Sequence, residues 1–107
     1  MIIDKFEQQP RDVRVRNIDY SEFLGSGDEL DATPESAPTV EVALHAGDAD
    51  DSGSPFQVYG VAIDSTTVLS YYATGGASGN TYKATFLTNT VNGQTHESEI
   101  LFRIKEY

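Results

Sequence analysis

The residues best suited to chemistry lie in one short acidic run, Asp48-Ala49-Asp50-Asp51-Ser52-Gly53. Carboxylates at positions one and three, an oxygen at five and a glycine at six are what a calcium-binding EF-hand loop requires. Position twelve must be a bidentate glutamate, and here it is Tyr59. The flanking residues read as strands, not helices. The run is therefore expected to be a solvated acidic loop without a tight calcium site. His45 and His96 have no neighbour at metal-ligand or nucleophile spacing. There is no cysteine, so neither a disulfide nor a Cys-based zinc site can form. Gly75 to Asn80 is rich in glycine but lacks the lysine and following helix of a phosphate-binding loop. Nothing has the pattern of a nucleophile elbow. Six tyrosines could stack on sugars, but most suit core or interface positions. The expectation is a protein that is not an enzyme, with no catalytic residue, cofactor or metal.

The elements that position these residues begin with the last stretch, Thr81 to Tyr107. Tyr82, Ala84 and Phe86 alternate with polar residues, and so do Ile100, Phe102 and Ile104. Period-two alternation marks half-buried strands. A two-residue Asn92-Gly93 turn would put these two apolar rows on opposite faces. A three-residue loop, Val91-Asn92-Gly93, pairs Thr90 with Gln94, Ala84 with Ile100 and Tyr82 with Phe102. Both rows then share one face, so the hydrophobic pattern selects this register. Such loops end in a left-handed residue, which assigns that conformation to Gly93.

Upstream, Val40, Val42 and Leu44 alternate as a half-buried strand. Phe56 to Ile63 is apolar on both faces apart from Gln57, the pattern of a central strand. Thr66 to Ala73 follows as another strand, and Gly75 to Asn80 turns the chain into the final hairpin. Gly27 to Thr33 reads as a short strand and Pro34 to Pro38 as a loop. Asp19-Tyr20-Ser21-Glu22 has the form of a helix start, with Asp19 able to cap and Glu22 three residues on. Phe23, Leu24 and Gly25 follow, so a single helical turn with an aromatic end is expected. Arg11 to Arg16 alternates, with Val13 and Val15 on one side and Arg14 and Arg16 on the other. It reads as an edge strand or an arm.

The 107 residues suffice for one core. Short strands between turn signals predict an all-β fold, a β-sandwich. Residues 1–18 are expected as an extended N-terminal segment and 19–107 as one sandwich domain with one short helical turn. No apolar run reaches the ~20 residues of a membrane span, and no signal peptide is visible. The net charge is −10. All seven basic residues fall at Lys5 to Arg16 or at Lys83 to Lys105, while Asn17 to Tyr82 holds eleven acidic residues and no basic one. That balance disfavours nucleic acid as a partner; it either serves solubility or presents an acidic surface to a basic partner.

A combination of motifs resembles small virion proteins of tailed bacteriophages, the fiber–tail adaptor and head–tail neck proteins. It comprises Lys5-Phe6, Pro10 to Val13, Ile18 to Leu24 and Gly27 to Leu30. It continues with Tyr72 to Tyr82, Val91 to Gly93 and Phe102 to Glu106. The segment Glu35 to Pro55 carries none of it. The resemblance implies an immunoglobulin-like antiparallel β-sandwich, a structural protein of the virion tail or neck, assembled in the host cytoplasm. Several copies around the tail axis would bridge tail or portal-side adaptor proteins to fibers. Arg11, Arg14, Arg16, Tyr20, Phe23 and Leu24 are the expected partner-contact residues. The alternative is a free-standing sandwich that binds carbohydrate or calcium.

Overall fold

The computed structural model describes residues 2–48 and 55–106. The Asp48 to Gly53 run, tested above as a calcium loop, lies beyond Asp48 outside the described residues. The described residues form seven strands: β1 (Ile2–Gln8), β2 (Val13–Asp19), β3 (Thr39–Ala46), β4 (Gln57–Ile63), β5 (Val68–Thr74), β6 (Thr81–Asn89) and β7 (Thr95–Ile104). They form two sheets. Sheet A has the order β1-β7-β6-β3 and sheet B the order β2-β5-β4. The fold is an all-β sandwich. Every neighbouring pair is antiparallel except β1 with β7, which is parallel.

The β6–β7 hairpin forms in the register that its apolar rows require. Tyr82 faces Phe102 and Ala84 faces Ile100. The Thr90 amide donates to the Gln94 carbonyl at 2.8 Å, and Gly93 has φ +83°. Tyr82, Ala84, Phe86, Ile100, Phe102 and Ile104 are buried on the inner face of sheet A. Ile18, Leu69, Tyr71 and Ala73 meet them from sheet B. Tyr71 packs on Phe86 with ring centres 4.9 Å apart, and Phe56 on Phe102 at 5.1 Å. Both ring pairs are tilted, at 48° and 40°, with centres inside the roughly 4.5–7 Å range of attractive aromatic contacts.

Four elements differ from the sequence pattern. Phe56 to Ile63 is not a central strand. Its strand part, β4, is an edge of sheet B, and β5 is central. Apolar residues fall on both faces of β4 because the strand bulges between Tyr59 and Ala62, which reverses its sides. Gly27 to Thr33 is not a strand. It is joined to the β6–β7 hairpin by the isolated bridge Leu30–Thr90 and by the Asn92 amide, which donates to Asp28 Oδ1 at 3.2 Å. The loop at Pro34 contains a 3₁₀ turn, Pro34–Ser36. Residues 21–23 form a hydrogen-bonded turn rather than a helix. The Leu24 and Phe23 amides both donate to the Tyr20 carbonyl, at 3.1 and 2.8 Å, and Asp19 Oδ1 accepts the Ser21 amide at 2.9 Å. The chain turns out of this geometry after one turn, at Leu24-Gly25.

Residues 2–8 and 13–18 are extended, and they are paired. β1 lies along β7, and β2 along β5. The chain crosses from one sheet to the other at Gln9 to Asp12, where the Asp12 amide donates to the Gln9 carbonyl and the Gly75 amide to the Pro10 carbonyl, both at 3.1 Å.

Candidate partner-binding surface

The polarity of β2 is the feature around which the surface is built. Arg14 pairs with Ala73 and Arg16 with Tyr71, both buried residues of β5, so the arginines lie on the core side. Val13 and Val15 pair with Thr74 and Tyr72 and lie on the outer face. The apolar row of this edge strand therefore points at solvent. Val15, Tyr72 and Tyr59 line up across all three strands of sheet B, because Val15 pairs with Tyr72 and Tyr72 with Tyr59. Their exposures are 61%, 42% and 43%. The Tyr59 and Tyr72 rings stack at 5.4 Å with 14° between their planes.

The flatness of this pair depends on Gly60. It has φ +62°, and a Cβ there would meet the Tyr72 ring at 2.8 Å. A side chain at position 60 would push Tyr72 off the sheet. Exposed aliphatic and aromatic groups in one cross-strand row are what a protein surface presents to a partner. The alternation of Val13 and Val15 was visible in the sequence. Tyr59 and Tyr72 were not legible as their companions, since that needs the register of three strands.

The six residues expected at a partner contact are not gathered in one place. Arg11 is exposed in the β1–β2 connection, where it lines a shallow groove with Pro10, Gly76 and Ser78. Arg14 is exposed and lies 3.7 Å from Asp12. Arg16 is half-buried. Its guanidinium lies over the Phe6 ring at 3.9 Å, and its Nη2 donates to Gln8 Oε1 at 3.4 Å. Burial holds its pKa below the ordinary arginine value. The Gln8 amide in turn donates to the Ala73 carbonyl at 3.2 Å. Arg16 Nε and the Tyr71 hydroxyl are buried without a hydrogen-bond partner among the described residues. Burial pushes the Tyr71 hydroxyl far above the usual range.

Tyr20, Phe23 and Leu24 sit at the opposite end of β2. Tyr20 is buried, and its hydroxyl bonds Thr88 Oγ1 at 3.0 Å and Ser98 Oγ at 3.3 Å. It ties the turn to sheet A and presents nothing to a partner. Leu24 packs against the core. Phe23 is exposed, edge-on to Tyr20, and borders a small groove with Ile3 and His96. Arg11, Arg14 and Phe23 are thus the exposed members of the six.

No group of three or more His, Asp or Glu among the described residues could hold a metal ion. No helix there is long and apolar enough to cross a membrane. Among curated proteins none matches the chain. A family model does match, over residues 8–103, and its description is podophage GP4 fiber-tail adaptor protein gp77. The match runs from the end of β1 to the end of β7 and so takes in both sheets and the exposed row. This β-sandwich belongs to the podophage fiber-tail adaptor family, and is a structural component of the virion.

Proposed function

We propose that the chain is a non-enzymatic connector that bridges tail-side proteins, the portal-side adaptor among them, to the tail fibers. It would act in several copies around the tail axis, assembled with the tail in the host cytoplasm. The observation that supports this most directly is the exposed row Val15–Tyr72–Tyr59 on the outer face of sheet B. A rigid, flat apolar row on a sheet loses little conformational entropy when it docks. Arg11 lies in the connection at the end of that sheet nearest Val13, and Arg14 extends from the core side of the β2 edge, so both place positive charge at the rim of the sheet rather than within the row. Phe23 offers a separate apolar contact at the other end. Exposed ion pairs contribute at most about 1 kcal/mol each, so the apolar row should dominate affinity and the arginines should tune it with salt.

The test is incorporation into purified tail complexes lacking this protein. Tyr72→Ser should reduce incorporation at least about tenfold, equivalent to ~1.4 kcal/mol. Its stability should fall only by about 0.5–1.5 kcal/mol, the contribution of the lost stacking on Tyr59, so the fold persists. Arg11→Glu with Arg14→Glu should weaken incorporation most at low salt. Undiminished incorporation of Tyr72→Ser counts against the row. A sugar-binding module is the second reading, supported by the stacked Tyr59–Tyr72 pair. It requires soluble oligosaccharide to protect those rings from modification, in the absence of any tail protein.

A further inference from the structure

A sandwich of two open sheets has four edge strands, here β1 and β3 in sheet A and β2 and β4 in sheet B. An edge exposes unpaired backbone N–H and C=O groups and invites another strand, unless a bulge or an inward charge blocks it. Three of the four edges are blocked. β1 has an irregularity between Ile2 and Asp4, and Asp4 occupies a core-side position opposite Ile100. β2 turns Arg14 and Arg16 to the core side. β4 is broken by the bulge at Gly60.

β3 has no such device over Thr39 to Leu44. Six consecutive residues pair regularly with Leu87 to Tyr82 of β6, and the register shifts only beyond Leu44. Its core-side row is Val40, Val42 and Leu44, which pair with the buried Phe86, Ala84 and Tyr82. Yet Val42 is 36% exposed and Leu44 44%. These side chains face the core side, and sheet B covers them only in part. Only Glu41 among these six residues carries a charge, and it lies on the outer face.

We propose that β3 is the edge at which a partner protein adds a strand to sheet A. The inference deepens the adaptor function and rests on it, giving the connector a second attachment distinct from the outer face of sheet B. The partner segment is extended, apolar at alternate positions and basic at the intervening ones. Its apolar residues continue the row Val40–Val42–Leu44 and cover it. Its lysines or arginines fall beside Glu41 on the outer face. Main-chain bonds supply affinity in such strand addition, and the alternating side chains supply specificity.

A second copy of this chain fits less well. Two-fold pairing of β3 with β3 must keep both apolar rows on one face. In the registers that then overlap most fully, the two Glu41 carboxylates oppose each other directly or diagonally. Each chain also carries a net charge of −10, so the copies repel.

The test uses the full chain and two short capped peptides. In one, valine alternates with lysine; in the other, valine alternates with glutamate. Hydrogen exchange at residues 39–44 should slow at least about tenfold with the lysine peptide and stay unchanged with the glutamate peptide. Val42→Lys places an inward charge on β3, as β2 already has, and should abolish the response. Glu41→Lys leaves the apolar row intact and should reverse the preference between the peptides. Absence of protection at 39–44, or equal protection by both peptides, overturns the proposal. So does protection that survives in Val42→Lys. The measurement needs no tail protein. Its failure therefore leaves the adaptor function standing, and failed incorporation of the parent chain into tails leaves the edge result standing.

Discussion

The Arg16 guanidinium lies 3.9 Å from the centre of the Phe6 ring, and so joins the edge strands of two different sheets. β1 and β2 are consecutive in the chain but do not pair with each other. Phe6 reaches inward from sheet A, where it also meets Phe102 at 5.6 Å. Arg16 reaches inward from sheet B and closes the open side of the sandwich over that ring. A planar guanidinium can stack where a lysine ammonium cannot, so the two are not interchangeable here. Arg16→Lys and Phe6→Leu should each lower stability. A double-mutant cycle by denaturant unfolding should give a coupling of ~0.5–1 kcal/mol, the value expected of a partly buried cation–π pair. Additivity within ~0.3 kcal/mol would show that the two side chains merely share a neighbourhood.

Gly93 tests the hairpin. Its φ is +83°, and no atom lies within 4 Å of where a Cβ would stand. The cost of a substitution there is therefore backbone strain alone. Gly93→Val should lose ~1–2 kcal/mol, since left-handed backbone penalises a β-branched residue. The melting temperature should fall by at least about 4 °C. Gly93→Asn should lose less, because asparagine tolerates that conformation. Equal melting temperatures for the valine and asparagine variants would place the strain elsewhere.

The contrast between β7 and β4 explains how much was legible. The final hairpin could be registered from its sequence because two apolar rows had to share one face, and only one loop length allowed that. β4 offered no such constraint. Its apolar residues on both faces reflect a bulge at Gly60, and a bulge and a doubly buried strand give the same pattern. β2 was legible as alternation but not as orientation. Valines outward and arginines inward becomes sensible only once Phe6 and Gln8 stand opposite Arg16. The same contact revises the view of the N-terminus as an arm. Removing residues 1–16 would take β1 from sheet A and most of β2 from sheet B. The exposed row was beyond reach for a similar reason: Val15, Tyr72 and Tyr59 are separated in sequence and meet only across two ladders. Tyr20 and Phe23 are near neighbours in the same turn, yet one is a buried anchor and the other a surface ring.

Acid should weaken the fold in part through two turn carboxylates. Asp19 accepts the Ser21 amide at 2.9 Å, and that bond holds its carboxyl below the ordinary value. Asp31 accepts the Thr33 amide at 2.9 Å and the Thr33 hydroxyl at 2.8 Å, and is lowered likewise. In both cases hydrogen bonds favour the charged form in the folded chain. The unfolded chain therefore takes up protons first as pH falls. The stability these groups contribute is fully present above the unfolded value, near about pH 4, and is lost as pH drops through the lower folded value. Asp19 is exposed and Asp31 only partly covered, so each effect is small. Asp19→Asn keeps an oxygen that can accept the Ser21 amide but removes the ionisation. At neutral pH its melting temperature should lie close to the parent's. Between about pH 4 and pH 2 its melting temperature should fall less steeply. Parallel acid slopes for parent and variant would mean that Asp19 contributes nothing to the pH dependence, and that its bond to Ser21 forms equally in the unfolded turn.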